Sequence, residues 1–236
     1  MRSVLAALMA AATIAGSGAE AQSSPPSTPV VVELYTSQGC SSCPPADALL
    51  AELSKRDDVI ALALHVDYWD YIGWKDTLAD PAFTKRQKAY AYAAGQRTVY
   101  TPQMIVGGQD HVVGYKPMRL AQLIEDYHDQ PAPVAMSLTR IDGGVQIEAK
   151  VVSGAAPGMV VQLVRYNPEE TVSIGRGENA GKTIKYTNIV TEWRVLADWD
   201  GAAPLSMRAD AAGDAPIVVV VQETGQGPIM AAARLR

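Results

Sequence analysis

The residues most suited to chemistry are the two cysteines of the chain, Cys40 and Cys43, which stand two residues apart in VVELYTSQGCSSCPPADALL. A cysteine acts as a nucleophile only as the thiolate, and a second thiol nearby is needed to release the mixed disulfide that forms. Between a strand and a helix, this spacing predicts thiol–disulfide exchange. Cys40, nearer the loop and more exposed, is expected to attack, and Cys43, turned toward the helix, to resolve.

Hydrophobic periodicity predicts the elements that position this pair. The β-branched run VVVELY predicts a buried strand, a helix with an apolar face follows in PADALLAELSKRDD, and the continuous run VIALALHVD predicts a second buried strand. A helix, two hairpin strands joined through Gly107-Gly108 and a last helix complete the order β-α-β-α-β-β-α. Residues 30–128 therefore predict one α/β domain.

The pattern changes after a short linker at residues 129–133. Strand-like runs such as VQIEAKV, MVVQLVRY and PIVVVVQET are separated by clusters of Gly, Pro, Asn and Asp, and helical spacing is hard to find. Several strands at short intervals without helices favour an antiparallel sandwich or barrel. Residues 134–236 are therefore predicted to form a second, all-β, sandwich-like domain.

The first 21 residues are typical of a secretory signal peptide, with a basic residue, an apolar core and small residues ending in Ala-Glu-Ala. That core is shorter than the roughly 20 residues needed to span a bilayer. We expect cleavage near Gln22, a flexible Ser/Pro-rich leader at residues 22–29, and a mature chain without a membrane span. The predicted location is periplasmic or secreted, where a cysteine pair can form a disulfide and keep it.

The composition argues against nucleic acid as a partner. The chain carries 25 acidic and 20 basic side chains, a net charge of -5, and no basic stripe. Nucleic-acid binding requires clustered Lys and Arg.

Several longer motifs resemble known families. ELYTSQGCSSCPPAD, HVDYWDYIGWKD, RQKAY, YTPQMIVGG and GENAGKTIKYTNIV together resemble the bacterial secreted family called domain of unknown function 1223. Residues 30–128 resemble the thioredoxin superfamily. The resemblance implies a thioredoxin-like domain followed by a β domain, and it brings no established reaction.

Two further positions gain meaning from this resemblance. Thr101-Pro102 precedes a strand, where thioredoxin-like proteins carry a cis proline that faces the cysteines and presents backbone to the substrate. Glu33 interrupts an apolar strand, and a carboxyl group desolvated there would be suited to exchange a proton with the resolving thiol. A solvent-facing Glu33 is the alternative, since strands often alternate sides.

Pro44 and Pro45 depart from a simple thioredoxin loop. Because proline disfavours helical geometry in the residue before it, Cys43 is predicted to be extended and the helix to begin at Pro44 or Pro45. The helix dipole would then act weakly on Cys40. A mainly structural disulfide is therefore a second interpretation.

The segment HVDYWDYIGWKD follows the second predicted strand. Ligand crevices in open α/β sheets lie beyond the carboxyl ends of the parallel strands, so His65 and Asp67 are expected on the same side as the cysteines. Trp69 and Trp74 are predicted to wall a groove for a substrate polypeptide. The alternative is that these aromatic side chains only pack their own loop.

Metal binding and nucleotide binding are the alternatives to thiol–disulfide exchange. Cys40, Cys43 and His65 together could form a soft copper site, whereas a closed zinc site would need a second ligand pair that the sequence lacks. GRGENAGKT ends like a phosphate-binding loop but has Arg176 where the pattern needs glycine. Asn179 and Gly181 of this segment, together with Asn188 further along the chain, are instead interpreted as turn residues of the β domain. They are expected to line the contact between the β domain and the first domain.

The leading hypothesis is an exported thiol–disulfide oxidoreductase without a cofactor, acting on protein or small-molecule thiols and disulfides and served by a redox partner protein. The rival is a non-enzymatic periplasmic binding protein in which the Cys40–Cys43 bridge is permanent. A copper-binding thioredoxin-like protein is the third possibility.

Overall fold

The computed structural model describes residues 28–154 and 158–236. The predicted signal peptide, residues 1–21, and most of the predicted leader, residues 22–29, lie outside the described residues. None of the helices within the two described ranges is both long and apolar enough to cross a bilayer.

The chain contains three α-helices, one short 3₁₀ helix and eleven strands in its described parts. The order β-α-β-α-β-β-α predicted for residues 30–128 is confirmed, with the 3₁₀ helix added after the second strand. The first half comprises β1 Val30–Thr36, α1 Pro44–Leu53, β2 Val59–His65, the 3₁₀ helix Asp70–Ile72, α2 Pro81–Ala93, β3 Gln103–Val106, β4 Asp110–Val113 and α3 Pro117–His128. The second half comprises β5 Val134–Ile141, β6 Gly144–Val151, β7 Met159–Ser173, β8 Thr183–Trp199, β9 Leu205–Asp210, β10 Ile217–Glu223 and β11 Ile229–Leu235.

Eight strands form one mixed sheet in the order β11-β10-β7-β8-β2-β1-β3-β4, and a second sheet has the order β5-β6-β9. β1 and β2 are parallel, and β3 runs antiparallel to β1. The two halves meet where Ala63 of β2 pairs with Ile189 of β8 in parallel. The chain is therefore a mixed α/β protein with one large mixed sheet and one small sheet.

The expected separate all-β sandwich is not what the strand pairing shows. Four strands of the C-terminal half hydrogen-bond into the sheet of the first half. The small sheet packs its apolar residues, among them Val145 and Ile147, against those strands. The hydrophobic pattern of a sequence indicates which segments are strands but not which strands pair, so it could not predict that one sheet includes strands of both halves. The domain boundary at residues 129–133 stays a prediction.

β1 delivers different side chains to the two faces of the large sheet. Val32 and Leu34 pack in the apolar cluster that includes residues of α1 and α3. Val31 and Tyr35 pack in the cluster that includes residues of α2. Because side chains alternate along a strand, Glu33 points toward the α2 face. The end of β1 leads directly to the cysteine pair.

Candidate functional site

Residues 37–43 connect β1 to α1 and carry a disulfide between Cys40 and Cys43. This segment is called the redox loop after the exchange reaction that the sequence predicts for it. Two consecutive turns shape it: the N–H of Cys40 donates to the carbonyl of Ser37 (3.1 Å), and the N–H of Cys43 donates to the carbonyl of Cys40 (3.2 Å). Helix α1 begins at Pro44, as predicted. The loop therefore holds both sulfur atoms at the carboxyl end of β1.

The predicted extended conformation of Cys43 is wrong, since its φ of -77° and ψ of -36° are helical. The N–H groups of Ala46 (2.8 Å) and Asp47 (3.1 Å) both donate to the Cys43 carbonyl, which outweighs the steric preference imposed by the following proline. Pro44 and Pro45 have no N–H to offer. The first turn of α1 therefore leaves its early donors unavailable to a Cys40 thiolate.

The expected exposure of Cys40 is also wrong. Both cysteines have 0% exposed surface, although Ser41 and Ser42 between them are exposed. The aromatic segment, residues 66–76, lies against the residue before Cys40, because a Cβ on Gly39 would lie 3.1 Å from the Cβ of Trp69. A thiol can reach the buried sulfur atoms only after the loop or a neighbouring segment moves.

Asp47 of α1 is a buried carboxyl group one helical turn after Cys43. Its Oδ1 accepts a hydrogen bond from the hydroxyl of Thr36 (2.8 Å), and its Oδ2 has no partner within the described ranges. Burial raises the pKa of Asp47 to about 7, although the charge of His65 and the Thr36 hydrogen bond act in the opposite direction. Residues four apart on a helix share a face, with Cβ atoms about 5–6 Å apart. Asp47 can therefore exchange a proton near neutral pH beside Cys43.

Asp47 was not among the predicted site residues. The sequence instead suggested Glu33 as the group that exchanges a proton with the resolving thiol. The signal in the sequence was the spacing of Cys43 and Asp47, which places both on one face of the predicted helix. The spacing alone does not single out Asp47, because a carboxylate in the first turn also stabilises an exposed helix through the helix dipole.

Glu33 lies in a different buried network. It has 0% exposed surface, so the solvent-facing alternative is wrong. Arg86 of α2 donates to it through Nε (2.8 Å) and Nη2 (2.9 Å), and the hydroxyls of Tyr35 (2.9 Å) and Tyr90 (2.7 Å) donate as well. The proton-exchange role of Glu33 stays a prediction, and these contacts favour a structural role.

His65 anchors the redox loop through Asp76. His65 is fully buried at the end of β2, and its Nδ1 lies 2.8 Å from Oδ2 of Asp76, which also accepts from the N–H of Gln38 (2.8 Å). Burial acts to raise the pKa of Asp76, but the hydrogen bond and charge of His65, with the N–H groups of Gln38 and Leu78, hold that pKa below its usual value. The ionised carboxylate therefore ties β2 to the loop.

Three buried polar atoms around this pair have no partner among residues 28–154 and 158–236: Asp47 Oδ2, His65 Nε2 and the hydroxyl of Tyr186. The rings of His65 and Tyr186 meet edge to face with centroids 4.8 Å apart. Because buried polar atoms are normally hydrogen-bonded, these three atoms mark an unusual polar region in the core.

The Thr101-Pro102 peptide bond is cis, as predicted. Tyr35 pairs with Gln103, so Pro102 lies beside the end of β1, where the redox loop begins. The hydroxyl of Thr101 accepts a hydrogen bond from Nε1 of Trp69 (2.7 Å). The cis-prolyl segment and the aromatic segment thus meet next to the redox loop.

The other residues predicted to wall a groove take different positions. Trp74 donates through Nε1 to the side chain of Gln38 in the redox loop (2.7 Å). Asp67 instead accepts from the hydroxyl of Thr84 in α2 (2.5 Å). The ring of Trp69 is nearly parallel to that of Tyr71, which is 80% exposed. Trp69 and Trp74 border the redox loop, and their role in substrate binding stays a prediction.

The loop between β7 and β8 also reaches the redox loop. Asn179 is buried, and its Nδ2 donates to the carbonyls of Gln38 and Cys40, both at 2.9 Å. Asn188 donates from Nδ2 to the carbonyl of Ala61 (2.9 Å). Asn179 and Asn188 line the contact with the first half, as interpreted. Asn188 lies within strand β8 and Gly181 is exposed, so the interpretation of Asn188 as a turn residue and of Gly181 as a contact residue is wrong. The described residues contain no group of three or more His, Cys, Asp or Glu arranged to hold a metal ion, so the copper interpretation gains no support.

Comparison with known proteins identifies the family. The model of the family described as "Protein of unknown function (DUF1223)" matches residues 31–222, so the chain belongs to this family. No curated protein matches the chain. The crystal structure of protein AGR_C_4864 from Agrobacterium tumefaciens is similar, with 33% identity, a TM-score of 0.74, and coverage of 91% of this chain and 96% of that one. HBP35 of Porphyromonas gingivalis shares the fold at 17% identity, with a TM-score of 0.59 and coverage of 90% and 76%.

Proposed function

We propose that this member of the DUF1223 family is an exported thiol–disulfide oxidoreductase whose first half is thioredoxin-like. The observation that carries the proposal is the Cys40–Cys43 disulfide on the turn from β1 to α1, beside the cis Thr101-Pro102 bond. A pair at this spacing can both attack a substrate sulfur and release the product. The burial of Asp47 next to the pair supplies a group that exchanges a proton near neutral pH.

The exchange follows from the chemistry of the two thiols. In the reducing direction, the Cys40 thiolate attacks a substrate disulfide, which forms a mixed disulfide and releases one substrate sulfur as a thiolate. Cys43 then loses its proton and attacks the Cys40 sulfur, which releases the second substrate sulfur and leaves the Cys40–Cys43 disulfide. The reverse sequence oxidises a substrate dithiol and leaves both cysteines reduced. A redox partner protein restores the starting state in either direction.

Asp47 is the proposed proton acceptor for Cys43. Only the thiolate form of Cys43 attacks the mixed disulfide, so its proton must leave during this step. Asp47 lies one helical turn after Cys43, and its Oδ2 accepts no hydrogen bond from any described residue. Its raised pKa allows it to take up the proton at neutral pH and return it in the reverse direction. Substrate binding is assigned to the backbone at Thr101-Pro102 and to the border formed by Trp69 and Trp74.

Export and partners are part of the same proposal. The first 21 residues carry the pattern of a signal peptide, which would deliver the protein to the periplasm or the medium. Disulfides persist in that compartment. The substrates are protein or small-molecule thiols and disulfides, and no cofactor is required because the cysteines themselves carry the electrons.

A second candidate is a binding protein in which the disulfide is a permanent staple. The specific observation in its favour is that both cysteines have 0% exposed surface. The two prolines that begin α1 also deprive Cys40 of the helical N–H groups that usually stabilise a thiolate.

Trapping of a mixed disulfide tests the proposal. Cys43→Ser removes the resolving thiol, so Cys40 is expected to form a lasting adduct when the reduced protein is incubated with oxidised glutathione. Cys40→Ser is the matched control, because it leaves only the Cys43 thiol, which is not expected to attack oxidised glutathione. Mass spectrometry of the intact protein measures the adduct. Equal adduct formation by both variants, at the rate of an ordinary exposed cysteine, would contradict the proposed roles.

A further inference from the structure

The burial of the disulfide raises the question of which part of its cover moves. Cys40 and Cys43 have no exposed surface, while Ser41 and Ser42 between them reach the solvent. Thiol–disulfide exchange requires a thiolate to approach a sulfur atom directly. On the inner side, α1 begins directly after Cys43 and packs Ala46 into the main apolar core. Access must therefore come from the outer side.

Two segments lie against the outer part of the redox loop, and they are attached in different ways. The aromatic segment is held from several directions, through Asp76 to His65, Trp69 to Thr101 and Trp74 to Gln38. The second segment is the β7–β8 loop, defined here as residues 174–182. Within the described residues, the side-chain hydrogen bonds recorded between this loop and the redox loop come from Asn179 alone. The β7–β8 loop is the less firmly attached of the two.

The β7–β8 loop also keeps its own shape. The N–H of Gly181 donates to the carbonyl of Ile174 (2.8 Å), and the N–H of Ile174 donates to the carbonyl of Lys182 (2.9 Å). The Nζ of Lys182 donates to Oδ1 of Asn179 (2.8 Å), which orients the amide so that Nδ2 faces the redox loop. These internal bonds do not depend on the redox loop. They would be kept if the segment moved as a unit.

Close packing completes the closed position. Gly177 has a φ of +77°, and a Cβ there would lie 3.2 Å from the Cβ of Trp74. The loop thus lies against the aromatic segment on one side and against the carbonyl of Cys40 on the other. Its outward residues Arg176 and Glu178 are exposed. Nothing among the described residues covers the loop from outside at these positions.

We infer that the β7–β8 loop is a movable cover over the Cys40–Cys43 disulfide and that Asn179 is the latch that holds it closed. The two hydrogen bonds of its Nδ2 set the equilibrium between the closed and open positions. The C-terminal half of the chain thereby controls access to the cysteines of the first half. This inference does not rest on the proposed function, because a permanent disulfide would be shielded by the same loop.

The test is the rate at which dithiothreitol reduces the disulfide of the mature protein. Each event consumes one dithiol, which closes to a cyclic disulfide, and produces two protein thiols that are counted by alkylation and mass. For the native protein the rate is expected to level off as dithiothreitol increases, because opening becomes limiting. Asn179→Ala is expected to raise this plateau about tenfold, which corresponds to about 1.4 kcal/mol less stabilisation of the closed position.

Two variants keep the test interpretable. Glu178→Ala changes an exposed residue of the same loop, and dithiothreitol is expected to reduce its disulfide at the native rate. Asn179→Asp keeps the size of the side chain but places a carboxylate against two carbonyl oxygens, so it is also expected to raise the plateau, even if Asn179→Ala folds poorly. Native-like rates for Asn179→Asp, with a linear dependence on dithiothreitol, would overturn the inference. Because the readout is a rate, it is independent of the equilibrium potential that tests the proposed function.

Discussion

The backbone N–H of Asp47 donates to the carbonyl oxygen of Cys43 (3.1 Å), so one turn of α1 joins a buried carboxyl group to the second cysteine. The carboxyl is held by the hydroxyl of Thr36 at one oxygen and is free of described partners at the other. Burial at this position raises the pKa of Asp47 to about 7. Three of the expected outcomes below depend on this carboxyl group or on its neighbour Asp76.

Asp47→Asn is expected to change how stability depends on pH. A carboxyl whose pKa is raised on folding keeps its proton after the unfolded chain has lost it, so native stability falls as pH rises from about 4 to about 7 and then levels off. Asparagine keeps the acceptor for Thr36 but does not ionise, so the variant should lose this fall and be more stable above pH 7, by up to about 4 kcal/mol.

Urea unfolding at a series of pH values measures this effect. Asp57→Asn is the control, because the side chain of Asp57 is 94% exposed. If the free energy of unfolding depended on pH in the same way for the native protein and Asp47→Asn, the raised pKa of Asp47 would be contradicted.

Asp47→Asn is also expected to slow the resolution of a mixed disulfide on Cys40. Without a proton acceptor, the Cys43 thiol must lose its proton to solvent, and general-base assistance is typically worth about 10²-fold or more. The slowing should be greatest near neutral pH and should shrink at high pH, where Cys43 ionises unaided. Single-turnover kinetics across pH measure it. An unchanged pH profile in the variant would assign the proton transfer to another group.

Asp76→Asn is expected to destabilise the protein at neutral pH by about 1.5–3 kcal/mol, since Asp76 accepts charge-assisted hydrogen bonds that an amide can only partly replace. Because its pKa is lowered on folding, its contribution is complete above the usual aspartate pKa and is lost as pH falls through the lowered value. Thermal unfolding at neutral and acidic pH measures the difference, which should narrow in acid. A constant difference would contradict the ionised state of Asp76.

Arg86→Met is expected to destabilise the chain by about 3–5 kcal/mol, because it leaves the buried Glu33 carboxylate without its counter-charge. The native guanidinium lies 3.7 Å from the ring centroid of Trp193 in β8, so its loss also weakens the contact between the two halves. Arg119→Met is the control, since its 3.7 Å pair with Asp110 is exposed and worth about 1 kcal/mol at most. Equal losses in denaturant unfolding for the two variants would contradict the assigned role.

The local features of the redox site were predictable from the sequence. The strand, the turn and the helix beginning at Pro44 each follow from residues adjacent in the chain, whereas the cis bond before Pro102 was implied by the resemblance to thioredoxin-like proteins. The contacts that bury the disulfide were not, because Asn179 lies 139 residues from Cys40. Residue types do not specify such long-range partners. For the same reason, the pairing of β8 with β2 and the partner of Glu33 could not be predicted. The spacing of Cys43 and Asp47 could be seen in the sequence, but a carboxylate in the first turn is also explained by the helix dipole.

The reduction potential of the Cys40–Cys43 pair tests the central claim most directly. The mature protein is equilibrated with glutathione buffers of known ratio, and the reduced fraction is measured by thiol alkylation and mass, with times long enough for the covered disulfide to equilibrate. The account predicts a potential within the span of known thiol–disulfide catalysts, roughly -120 to -270 mV. A potential below about -300 mV would contradict it and identify the bridge as structural.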